Sequence, residues 1–136
     1  MPIESDAGLR EVLGLETIAV VGCSSTPGKD AHEIPKYLQS NGYTIIPVNP
    51  NAEAVLGRPA YDTLAEVEEE IDIVDVFRPS DEVNGIVDQA LKRDDVKVIW
   101  TQLGIIDTEA AKRAEAAGLQ FVQDRCMKVE HQRLIG

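Results

Sequence analysis

Basic residues are scarce in this chain: 13 Lys and Arg stand against 24 Asp and Glu, a formal net charge of -11 at pH 7. A surface of that sign is a poor match for nucleic acid, whose phosphates need a basic face. It leaves room for a small phosphate ligand, which backbone N–H groups and a few local cations can hold. Cysteine is almost missing too. Cys23 and Cys126 stand far apart, so neither a disulfide framework nor zinc-ligand spacing is present, and free thiols in a reducing compartment are expected. No apolar run approaches the roughly 20 residues of a membrane span. The polar, acidic stretch Met1–Arg10 does not have the form of a secretory signal. A cytoplasmic protein with no membrane partner is the expectation. Histidine is limited to His32 and His131, with no Cys/His cluster, so no metal site and no catalytic residue are expected. Linkers, internal repeats and low-complexity tracts are also lacking. Residues 1–136 therefore read as one domain, long enough to bury a core.

What the chain does contain is a regular alternation. Thr17–Gly22, Tyr43–Val48, Asp72–Phe77, Lys97–Thr101 and Leu119–Gln123 are short, β-branched and largely apolar, as parallel strands covered on both faces should be. Between them Ala31–Asn41, Thr63–Glu69, Ser80–Arg93 and Thr108–Ala117 have helical character, and Ser5–Gly14 reads as a preliminary helix. Asp62 or Thr63, Ser80 and Asp107 or Thr108 supply start signals. Gly42 and Gly118 fall where left-handed C-terminal caps belong. This rhythm predicts an α/β fold: a Rossmann-like three-layer sandwich around a five-stranded parallel sheet. The expected strand order is 3-2-1-4-5, with Asn51–Tyr61 a candidate for a short sixth strand.

In such a sheet ligands bind beyond the C-terminal ends of the strands. After the first strand comes Gly22-Cys23-Ser24-Ser25-Thr26-Pro27-Gly28-Lys29. Gly22 and Gly28 allow tight turns, three hydroxyls and Lys29 supply donors, and the following helix offers N–H groups with a positive dipole end. That combination suits a pyrophosphate better than a mere helix cap. The glycine spacing fits neither GxGxxG nor a P-loop, and Thr26 breaks the pattern of a nucleophile elbow. Asn49, at the end of the second strand, replaces the carboxylate with which an NAD site grips the ribose diol. After the third strand, Arg78 either meets phosphate or pairs with Asp81 or Glu82. Trp100 either walls a pocket or belongs to the core.

The segments IAVVGCSSTPGKDAHEIPKYL, GYTIIPVNPNAEAVLGRPAY, IDIVDVFRPSDEV, VIWTQLGI and DRCMKVEH together resemble the small, stand-alone CoA-binding domain family. That family is similar to the N-terminal CoA-binding domain of the succinyl-CoA synthetase alpha subunit. The resemblance runs from about Thr17 to the C-terminus and preserves order and spacing. It implies coenzyme A as the ligand, laid across the strand C-termini. Gly22, Ser24, Ser25 and Lys29 would meet the phosphates, with Pro47, Asn49 and Pro50 beside the nucleotide end. Phe77, Arg78 and Gln102 would continue the cleft, and Arg125, Cys126 and Lys128 would close it. The synthetase's phosphohistidine domain has no counterpart here, so the resemblance implies a non-catalytic binder of CoA or acyl-CoA. Two alternatives stand beside it: an NAD(P)-binding redox enzyme or sensor, and a CoA-binding subunit docked on a catalytic partner of the acyl-CoA ligase kind. A homo-oligomer is also open, as is a mixed disulfide of CoA with Cys23 or Cys126.

Overall fold

Apolar, β-branched runs form the sheet because both of its faces are covered. In the computed structural model, which describes residues 1–136, β1 (Thr17–Val21) and β2 (Thr44–Val48) are followed by a small hairpin of β3 (Ala54–Val55) and β4 (Arg58–Pro59). Then come β5 (Ile73–Val76), β6 (Val98–Thr101) and β7 (Gln120–Val122). The five long strands are all parallel, and every residue of β5 and β6 is buried. Helices α1 (Asp6–Leu13), α2 (Asp30–Ser40) and α5 (Met127–Leu134) cover one face, meeting Ile18, Val20, Ile73 and Trp100. Helices α3 (Val83–Leu91) and α4 (Thr108–Ala116) cover the other, on Ala19, Val74, Ile99 and Phe121. The two buried clusters hold 16 and 18 residues, so neither face is left to solvent. The fold is the expected Rossmann-like α/β sandwich. No helix is long and apolar enough to cross a membrane.

The strand order differs from the expected 3-2-1-4-5. The sheet runs β2-β1-β5-β6-β7, so the long strands follow 2-1-3-4-5 and the third lies between the first and the fourth. The outer edge of β2 is occupied by its own downstream chain. Tyr61 donates its N–H to Pro47 O at 3.0 Å, and Asn49 donates to Tyr61 O at 2.8 Å. Pro47 itself has no N–H to give a further strand, which suits an edge position. The candidate sixth strand is instead the separate hairpin β3–β4.

Two helix expectations are corrected as well. Thr63–Glu69 shortens to a 3₁₀ turn at Leu64–Glu66. Arg93, held by Asp95, donates to the carbonyls of Leu64, Val67 and Glu69 at 2.7, 2.9 and 3.1 Å, taking the acceptors an α-helix would use. The charged segment after β7 forms a further helix, α5. The expected helix Ser80–Arg93 becomes a 3₁₀ turn at Ser80–Glu82 followed by α3, and Ser80 Oγ accepts from Ile106 N at 2.9 Å and caps no helix. Ser5 and Asp107 do cap α1 and α4, and Gly42 and Gly118 take φ of +96° and +94°.

Candidate functional site

Strands β1 and β5 are neighbours whose connections leave in opposite directions, to β2 on one side and β6 on the other. At such a switch point the two outgoing loops part and leave a crevice. The loops after β1 and β5 meet here at close range. Gly22 has φ +88°, and a Cβ on it would lie 2.9 Å from Arg78 Cδ and 3.0 Å from the Phe77 carbonyl oxygen. Only glycine permits that approach. Asn49 fastens the third loop to the same point, donating from Nδ2 to Cys23 O at 2.8 Å and accepting from Asn51 N at 2.9 Å. Its side chain is thus part of the scaffold that holds the first loop.

Within that loop some polar groups are consumed by the fold. Ser24 Oγ accepts from Thr26 N at 3.0 Å, and the Ser24 carbonyl accepts from His32 Nδ1 at 2.8 Å. Glu33 Oε2 accepts from Gly28 N at 3.1 Å. With Asp30 also in the first turn of α2, two carboxylates already satisfy the positive end of that helix. The helix N-terminus is therefore less open to an anion than its sequence suggests. The exposed remainder is the Ser25 amide and hydroxyl, the Thr26 hydroxyl and the Lys29 ammonium, none of which makes a hydrogen bond or ion pair within the chain.

Beside the loop lies a cleft of 170 Å³, walled by Asp30 and Ile34 of α2, Phe77 after β5, Gln102, Leu103 and Ile105 after β6, and Cys126 before α5. Gln102 is buried; it donates from Nε2 to Asp75 Oδ1 at 2.6 Å and accepts from Met127 N at 3.2 Å. It joins β5, β6 and the start of α5 beneath the cleft. Asp75 is fully buried with Oδ2 unpartnered, and its burial pushes the carboxyl up to about 7. The same dry environment, with the Asp75 carboxylate nearby, pushes the Cys23 thiol up to about 12. Cys23 is fully buried and remains a thiol, which removes it as a partner for a mixed disulfide.

The predicted site residues do not all converge. Phe77, Gln102 and Cys126 line the cleft, whereas Gly22, Ser24, Ser25 and Lys29 belong to the loop that leads into Asp30, one of its walls. Arg125 lies one step further along the sheet edge, bridged to Glu130 at 3.3 Å. Pro47 is buried in β2, Asn49 is committed as described, and Pro50 is exposed beyond them. Arg78 forms a two-pronged pair with Glu82 at 3.0 and 2.9 Å, the second of its two readings. Lys128 does not line the cleft; its Nζ sits 5.3 Å over the Tyr37 ring. Trp100 is a core residue, its Nε1 donating to Arg125 O at 2.8 Å. Missed from the sequence were Asp75, Leu103 and Ile105. Asp75 left a readable signal, a carboxylate in the middle of the apolar run Ile73–Phe77.

Known proteins bear on this geometry. Residues 16–132 match the family described as the CoA binding domain. The chain is 39% identical over 128 residues to the uncharacterized protein YneT of Bacillus subtilis, covering 93% of this chain and 94% of that one. The solved structure of a hypothetical protein from Pyrococcus horikoshii OT3 superposes with a TM-score of 0.93 at 41% identity, covering 100% of this chain and 97% of the other. ADP-forming acetate–CoA ligase II of Archaeoglobus fulgidus is 34% identical over 74 residues, which is 53% of this chain and 11% of the ligase. The synthetase-type relatives include ADP-forming acetate–CoA ligases, of which this chain matches a small part. By the match over residues 16–132, the chain belongs to the CoA binding domain family.

Proposed function

We propose that this protein binds coenzyme A, free or acylated, along the C-terminal edge of its sheet, and that it acts by binding, without chemistry of its own. The observation that carries the reading is the continuity of a donor-bearing loop, Ser25 to Lys29, with the partly apolar cleft between Ile34 and Cys126, in a chain of this family. The loop meets the phosphates through the Ser25 amide, the two free hydroxyls and Lys29. Gly22 and Asn49 serve as positioning residues that hold the loop against β5 and β2. The pantetheine arm lies over Phe77 and Gln102 toward Cys126. No group at the cleft is set up as a nucleophile with a base beside it: the free thiol of Cys126 has no hydrogen-bond partner, and Asp75 lies under Gln102.

Isothermal titration with CoA, dephospho-CoA, NAD and ATP tests this. CoA should bind most tightly, in the micromolar range or better, with NAD weakest because Asn49 offers no carboxylate to a ribose diol. Absence of binding by all four below millimolar concentration overturns the assignment. A second reading, a CoA site supplied to a larger catalytic partner, is favoured by the acetate–CoA ligase relationship. Co-purification of a catalytic subunit would support it.

A further inference from the structure

We propose that the groove beyond the cleft holds the acyl chain of an uncharged, medium-length acyl-CoA, so that such a thioester, and not free CoA, is the preferred ligand. The inference rests on the reading above and specifies its ligand.

The groove, of 470 Å³, lies at the β6–β7 end of the sheet edge and shares Leu103 and Cys126 with the cleft. Coenzyme A carries its phosphates at one end and its thiol at the other. With the phosphates at the Gly22–Lys29 loop, the thiol end leaves the cleft between Leu103 and Cys126. Anything esterified to the sulfur then enters the groove. Its wall bears Leu103, Ile106 and Val129, which are 72%, 48% and 52% exposed and make up three of the five large hydrophobic side chains left in solvent. Ile3 lines the same groove, fixed there by its N–H on Phe121 O at 2.8 Å. The loop that carries Leu103 is held as well, since Gly104 N donates to Asp124 Oδ1 at 2.7 Å.

The charges of the groove decide the kind of acyl group. Arg125, its one cation, is paired with Glu130, and Glu130 is also held by Arg133 at 2.6 Å. Glu4 and Asp124 add carboxylates with no cation against them. An acyl group ending in a carboxylate would meet three carboxylates against one cation that is already paired. A hydrocarbon chain instead covers Leu103, Ile106 and Val129. A fully covered methylene strengthens binding about fourfold, and an open groove delivers part of that.

Titration of the full chain with CoA, acetyl-CoA, hexanoyl-CoA and succinyl-CoA provides the test. Hexanoyl-CoA should bind at least tenfold more tightly than acetyl-CoA, and succinyl-CoA no more tightly than CoA. Ile106→Asp and Val129→Asp, both at exposed positions, should abolish the hexanoyl preference and leave CoA affinity within twofold. If CoA binds but affinity is flat across the series, or succinyl-CoA matches hexanoyl-CoA, the acyl groove is overturned while CoA binding stands. If none of the four binds, the underlying reading falls with it.

Discussion

The two ends of the sheet edge are built differently. Where β1 meets β5, the loops are locked together by Gly22 against Phe77 and Arg78, by Asn49 on Cys23 O, and by Ser24 with His32. A few donors, on Ser25, Thr26 and Lys29, are left facing outward. Where β6 meets β7, polar groups hold the loops through Thr101 Oγ1 on Ile105 O at 2.7 Å and Asp124 on Gly104, and apolar side chains face outward. A fixed frame with spare donors suits a charged group of set geometry. Uncovered aliphatic side chains have no directional demand and discriminate by the area they cover. On the proposed reading, one edge then offers charge recognition at one end and hydrophobic selection at the other.

The buried carboxylate of Asp75 lies between these ends, and changing it should have the largest effect. The folded state keeps its proton up to about pH 7, whereas an unfolded aspartate releases it near 3.9. Between those values the folded chain binds more protons, so its contribution makes stability fall as pH rises from about 4 to 7 and level off above. Asp75→Asn should remove that slope and gain as much as about 4 kcal/mol over the parent at pH 8, with little difference at pH 4. Urea unfolding of both proteins across this range reads it, and identical slopes would refute it.

At the locked end, Gly22→Val forces a Cβ into the Phe77 carbonyl at a positive φ. A loss of about 3 kcal/mol in stability and of measurable CoA binding is expected, read by thermal unfolding and titration. Lys29→Ala at the same end should leave the melting temperature unchanged and weaken CoA five- to tenfold, a difference that shrinks as salt is raised. The smallest effect is expected at the margin, where Glu82→Gln releases Arg78 from its pair. CoA affinity should then rise two- to threefold, because the freed guanidinium can turn to phosphate. A fall would mean that the Arg78–Glu82 pair shapes the loop itself.

Much of this architecture is readable residue by residue. The strands, the caps at Ser5 and Asp107 and the left-handed glycines Gly42 and Gly118 follow from local patterns, because each depends on its neighbours within a turn or two. The hydroxyl-rich loop after β1 was visible on the same grounds. The 3₁₀ turn at Leu64–Glu66 was not, since Arg93 takes its carbonyls from far along the chain. Nor was α5, whose charged sequence carries a weak apolar stripe and whose Met127 N–H is met by Gln102.

By itself, then, the sequence determined that this is a parallel α/β sandwich with a hydroxyl-rich, glycine-hinged loop after its first strand. Periodicity and turn chemistry are short-range, and they act before any strand finds a partner. Only the tertiary structure decided that β5 lies beside β1, because the downstream chain closes the edge of β2. That placement brings Phe77 onto Gly22 and sets Asp75 beneath Gln102. It also brought Lys128 over Tyr37, and left Leu103, Ile106 and Val129 in the open. Where a side chain finds its partner depends on which strands are adjacent, and strand adjacency is a property of the whole sheet.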